Sequence, residues 1–164
     1  MIEKEKIMLF EDILKSGSTL RIRVTGSSMS PFLSGGETLN IKKVDVSSLR
    51  IGDLIFFKNN EGSAILHRIV KKRPTYQNSY IFQTKGDALR GMDSPVSADD
   101  IIGKVCTVEK IYADGNKSHI DMESVKWKSI SYMLAVFGLG RSAMFSAGYR
   151  IRYAIRHISG KALS

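Results

Sequence analysis

The chain has 164 residues, 43% hydrophobic and 25% charged, a balance that suits one globular domain and excludes a disordered or fibrous chain. Its single cysteine, Cys106, excludes an internal disulfide framework and a multi-cysteine zinc site, and its three histidines lack metal-ligand spacing, so no metal or other cofactor is expected. The formal net charge of +9 is uneven: residues 126–164 hold 7 of the 25 Lys/Arg and none of the 16 Asp/Glu, which points to an anionic membrane surface, while no nucleic-acid reading motif is present.

In chain order, residues 1–18 form a first unit. Ile7, Phe10, Ile13 and Leu14 fall on one side of a helix over 2–15, and Ser16-Gly17-Ser18 stops it. The charged start, Met-Ile-Glu-Lys-Glu-Lys, is expected to be neither a secretory signal nor a membrane span. From residue 20 to about 112 the pattern is β. Leu20–Val24, Thr38–Val44, Asp53–Lys58, Ser63–Val70, Tyr80–Thr84 and Ile101–Tyr112 read as strands. Turn signals separate them at Ser34-Gly35-Gly36, Asn59-Asn60-Glu61-Gly62 and Arg73-Pro74. Leu54-Ile55-Phe56-Phe57 is a continuous apolar run, suited to a buried strand. Closely spaced strands with no long helix between them predict a mainly β, coiled antiparallel domain over 19–114, ending at the turn Asp114-Gly115-Asn116. Cys106, inside a strand-like run, reads as a buried inert thiol. Residues 124–164 read as a basic amphipathic helical tail. Met133, Phe137, Met144, Ile151, Ile155 and Ile158 share a narrow arc, with Arg141, Arg152 and Arg156 beside it, and Gly138, Gly140 and Gly148 are candidate breaks.

Four short stretches carry the candidate chemistry. Gly26-Ser27-Ser28-Met29-Ser30-Pro31 lies just past the first strand, where a turn can present a serine hydroxyl beside exposed main-chain N–H groups. Gly52-Asp53 opens the apolar strand. His67-Arg68 lies within a strand 39 positions after Ser28, and Lys85-Gly86-Asp87 ends another, with Asp93 shortly after it. Each stretch alone has an ordinary structural reading.

In this order and spacing they resemble the signal peptidase I family, in its endoplasmic-reticulum and archaeal branch. The likeness covers residues 20–106. It implies a signal-peptidase and LexA-like fold and a serine endopeptidase that cleaves leader or signal-type peptides with small side chains near the cut bond. Carried over by position, Ser28 is the nucleophile and His67 its general base. A histidine suits that role because its ordinary pKa of about 6.5 leaves it largely neutral at pH 7. Asp87 or Asp93 orients the imidazole. The Ser28 N–H is the natural oxyanion donor. Gly26 has no hydroxyl to add a second one, so any other donor is main-chain. Ser27 and Met29 flank the nucleophile, and Met29 packs beneath the turn or borders the substrate groove.

Ahead of the serine stretch the residues read as a short charged helix, so the membrane helix usual in the family is not expected there. Attachment would then use the tail. Residues 129–149 carry one charge, Arg141, and as a helix would be about 30 Å long. Arg141 costs about 2.5–3.5 kcal/mol in a bilayer centre and nearly cancels the apolar gain, which favours a helix lying in the interface over one that spans. Packing against the β domain is the third arrangement. A membrane-associated protein is the leading expectation, a soluble cytoplasmic one the alternative. Two rival functions remain: a LexA-like self-processing regulator, with Ala147-Gly148 as a self-cleavage bond, and a non-catalytic peptide- or membrane-binding module.

Overall fold

A computed structural model describes residues 2–76, 79–112 and 115–141. The helix α1 (Ile2–Lys15) buries Ile7 and Leu14, with Phe10 and Ile13 packed beside them, the four residues its periodicity selects. It stops at Gly17, whose positive φ of 82° suits a residue without a Cβ.

Among the described residues eight strands follow: β1 (Leu20–Arg23), β2 (Thr38–Lys42), β3 (Leu54–Lys58), β4 (Ala64–Pro74), β5 (Tyr80–Lys85), β6 (Val96–Ser97), β7 (Ile101–Ile111) and β8 (Lys117–Asp121). Every pairing is antiparallel, in the order β1-β2-β7-β3-β4-β5-β6. Long β7 holds β2 along one edge. On its other edge it holds β3 through residues 101–104 and then β8 through 107–111. A second helix, α2, covers residues 125–141. The fold is therefore mainly antiparallel β with a helix towards each end.

The apolar run of β3 explains two cores. Successive strand side chains point to opposite faces. Leu54 and Phe56 enter a large cluster with Leu14, Met29, Leu33 and Val105, whereas Ile55 and Phe57 enter a smaller one with Ile69, Phe82 and Ile101. Cys106 is half-buried; burial, helped by the Glu123 charge, raises its thiol above the ordinary value, as fits an unreactive thiol.

The strands differ from the sequence expectation in three places. β4 continues through Arg73-Pro74, and the turn lies beyond it, closed by the Thr75 N–H on the Ser79 carbonyl at 2.9 Å. Pro74 is the last residue of the strand, beyond the residues 64–68 that pair with β3. The turn near residue 115 is a hairpin rather than the end of the sheet. The Tyr112 N–H bonds the Asn116 carbonyl at 2.9 Å, and β8 follows. Lys117-Ser118-His119-Ile120-Asp121 offers one apolar residue, Ile120, too little to announce a strand, yet Ile120 reaches the core. Strand β6 has only two residues and no periodicity to read.

The helix α2 packs one face on the sheet and leaves the other in solvent. Ser131, Ala135 and Gly138 are buried, and Trp127 and Leu134 join the large cluster. Gly52 permits this approach. It has a φ of 99°, and an added Cβ would lie 2.8 Å from the Tyr132 main-chain nitrogen. The helix runs through Gly138 and Gly140 without a break. Among the described residues no helix is long and apolar enough to cross a membrane. Met144, Ala147, Gly148, Ile151, Arg152, Ile155, Arg156 and Ile158 lie outside the described residues, and with them the Ala147-Gly148 bond.

Candidate active site

Three elements bring the predicted residues together. The Ser28 turn follows β1, and its chain is wound so that the Ser30 N–H bonds the Ser27 carbonyl at 3.0 Å and the Leu33 N–H bonds the Met29 carbonyl at 2.9 Å. Met29 is buried in the large core and pins the turn from below. Phe32 pins it again, with the Arg68 guanidinium 5.2 Å from its ring centroid and the Trp127 ring 5.8 Å away. Buried Glu37 accepts the Ser34 and Gly35 N–H groups at 2.8 Å each, which fixes the return to β2.

His67 comes from the middle of β4 and is buried against Phe57. Its Nε2 lies 3.1 Å from the Ser28 hydroxyl and its Nδ1 2.7 Å from Asp93 Oδ2. An ionised carboxylate only accepts hydrogen bonds, so Nδ1 carries the proton. That leaves the Nε2 lone pair facing the serine hydroxyl, the arrangement a general base requires. Among the described residues Ser27 and Ser30, the neighbouring hydroxyls, make no contact of this kind.

The two candidate aspartates separate. Asp93 meets His67. Asp87 instead takes both oxygens to Arg68, at 2.9 Å from Nε and 2.7 Å from Nη2. Burial acts to raise the Asp93 carboxyl, but hydrogen bonds from His67 and Thr84 outweigh it, so the group is held below its ordinary value. Thr84 donates to Asp93 Oδ2 at 2.7 Å, and the Gln83 side-chain amide donates to the Asp93 carbonyl. Neither residue stands out in the sequence. The available signal is alternation along β5, which puts Thr84 on the same face as Phe82.

The loop after β5 closes the site. The Ala88 N–H bonds the Ser28 carbonyl at 2.9 Å. Gly86 lies between Ser28 and His67: an added Cβ would be 2.7 Å from the Ser28 carbonyl oxygen and 2.9 Å from His67 Nε2. Lys85 is buried and points away, donating to the Gly86 carbonyl at 3.3 Å. Burial, with the charge of Arg141, lowers its ammonium below the ordinary value. Asp53, of the Gly52-Asp53 pair, accepts Lys104 at 3.1 Å and the Arg50 N–H at 2.8 Å, a structural task.

Beside Ser28 a cleft of about 260 Å³ opens between β1 and the start of β4, bordered by Ile22, Val24, Gly26, Met29, Ala64 and Leu66. Among the described residues the Ser28 main-chain N–H has no acceptor. A hydroxyl in contact with an imidazole, a main-chain N–H and an apolar cleft are groups an acyl-transfer site can use.

Half of the chain is similar to a signal peptidase. Over 88 residues, 52% of the chain, it is 38% identical to signal peptidase I W of Bacillus subtilis. The match covers 45% of that protein, so the chain spans about half the length of the curated relative it matches. No family model matches the chain.

Gly86→Ala is expected to separate Ser28 from His67 and to displace the His67 ring while most of the fold persists. The ring resonances of His67 in the full chain read this, and an unchanged imidazole environment would contradict the close fit. A second expectation concerns acid. A carboxyl lowered on folding stabilises the native state above its unfolded pKa of about 3.9, and that contribution fades as pH falls through the folded value. Asp93→Asn should therefore be less stable than wild type at pH 5, with the gap shrinking towards pH 3. Urea midpoints with an equal gap at both pH values would count against it.

Proposed function

We propose that this chain is a serine endopeptidase of the signal-peptidase kind, of the branch with a histidine base, acting on leader or signal-type peptides. The observation that carries the reading is the hydrogen-bonded line Ser28–His67–Asp93 beside an apolar cleft. His67 takes the Ser28 proton as the hydroxyl attacks the peptide carbonyl, and later gives it to the leaving amine. Asp93 holds the imidazole and stabilises its charged form. The Ser28 N–H serves the oxyanion, and Ser27 and Gly26 frame that turn. The strand unit from residue 19 onward supplies the reaction.

The substrate lies extended in the cleft. Among the described residues β1 ends the strand order and pairs with β2 alone, so a peptide laid beside it can use main-chain hydrogen bonds. Ile22, Val24 and Leu66 offer apolar contact near the cut bond, and the limited space suits small side chains.

The tail docks on an anionic membrane surface. The solvent face of α2 supports this: Tyr132, Met133, Val136 and Phe137 are all exposed, Phe137 by 66%. Lys126 and Arg141 flank them, in a region of the sequence without acids. A water-facing helix surface this apolar favours burial in a headgroup layer.

Ser28→Ala and His67→Ala should each lower peptide cleavage by at least roughly 1,000-fold with the fold intact, read by mass spectrometry on leader peptides alongside circular dichroism. Full activity in His67→Ala would remove the pair. Met133→Asp and Phe137→Asp should each weaken binding to anionic vesicles by roughly ten- to a hundredfold, since each loses about 1.5–3 kcal/mol of apolar burial. Co-sedimentation equal to wild type for both variants would remove the docking face.

A further inference from the structure

The His67 imidazole depends for its orientation on Asp93, which raises the question of what orients Asp93. Its side chain sits on the loop after β5, and such loop carboxylates have many rotamers unless something chooses one. Three contacts from the end of β5 choose it. The Asp93 N–H bonds the Thr84 carbonyl at 3.0 Å, the Asp93 carbonyl accepts the Gln83 amide, and the Thr84 hydroxyl bonds Asp93 Oδ2 at 2.7 Å. That oxygen is the one that faces His67 Nδ1, also at 2.7 Å.

Thr84 is itself fully buried. A buried hydroxyl has to find a partner, and β-branching restricts its χ1. Its hydroxyl can donate to the carboxylate, which has no proton to give in return. Gripped at both its main chain and its side chain by one rigid strand residue, Asp93 is held in place before any substrate arrives.

We propose that Thr84 is the positioning residue of this site, fixing Asp93 Oδ2 and through it the ring plane and tautomer of His67. The proposal rests on the serine-peptidase reading for its catalytic consequence, but not for the coupling itself. Thr84 touches no reacting atom. It acts by holding the acceptor that keeps the proton on Nδ1 and the lone pair on Nε2. Removing its hydroxyl leaves Oδ2 with a single donor and lets the carboxylate rotate, so His67 spends less time aligned with Ser28.

The test uses the full chain with Thr84→Val, which keeps the shape and β-branching, and Thr84→Ser, which keeps the hydroxyl. Thr84→Ala stands in if the valine variant does not fold. The first readout is the low-field proton resonance of the His67 Nδ1–H, assigned by its loss in His67→Gln. It should be present in wild type and in Thr84→Ser, and shifted upfield or lost in Thr84→Val. The second is kinetic. In Thr84→Val, kcat should fall about tenfold with KM unchanged, the effect of one hydrogen bond to a charged group, and Thr84→Ser should restore most of it. A resonance in Thr84→Val identical to wild type overturns the proposal whatever the activity. A resonance that responds to Thr84 in a protein that cleaves no peptide upholds the coupling and overturns the peptidase reading instead.

Discussion

Arg68 is the interaction on which the other parts lean. Its guanidinium is fully buried, and burying a charge without partners is costly. Here every side of it is used. Asp87 takes two hydrogen bonds, the Gly52 carbonyl takes a third at 3.0 Å, and the Phe32 ring covers its face. Those partners come from the loop that carries Gly86 and Ala88, from the turn before β3, and from the segment just past the Ser28 turn. One residue of β4 thus sets the mutual position of the elements surrounding His67. Losing one member of such a buried pair typically costs about 3–5 kcal/mol, because the remaining charge is left uncompensated.

A second ionic set continues the same scaffold. Lys104 of β7 reaches Asp53 at 3.1 Å and Glu123 at 2.7 Å, and Glu123 in turn pairs with Lys128 at 2.9 Å. Burial acts to lower Lys104, yet the hydrogen bonds it donates to Glu123 and Asp53, with their negative charges, prevail and hold its ammonium above the ordinary value. The set ties the turn at Gly52 to the start of α2. It works together with the close main-chain approach of Gly52 to Tyr132. The helix is therefore seated by its inner face and its first turn, with Tyr132, Met133, Val136 and Phe137 on its exposed side.

Much of this was legible in the residues. Periodicity located α1 and the strands β1 to β5 and β7, because each carries at least two apolar residues at helical or strand spacing. Strand β8 was not legible, since a strand pairing along the edge of β7 can be held by its main chain with Ile120 as its single buried apolar anchor. The serine, histidine and two aspartates were all marked by order and spacing. Spacing did not separate Asp87 from Asp93. Thr84, Gln83 and Glu37 were missed because a hydroxyl, an amide or a carboxylate that holds a loop has no periodic signature of its own.

The distinction between the two aspartates follows from the pleat. His67 and Arg68 are consecutive in β4, so their side chains leave the sheet on opposite faces. Across the strand pair, Arg68 stands opposite Lys85 and Ile69 opposite Thr84. Thr84 therefore shares a face with His67, and Lys85 shares the other with Arg68. A carboxylate meant for the imidazole has to arrive on the Thr84 side, and one meant for the guanidinium on the Lys85 side. Asp87, one residue past Gly86, turns toward Arg68. Asp93 returns along β5 with its N–H on the Thr84 carbonyl and reaches the opposite face. The sheet thereby separates two ionic sets that are adjacent in sequence. One, on the side that α2 covers, holds the scaffold. The other faces Ser28, where the proposed proton transfer would leave the charges that hold the fold undisturbed.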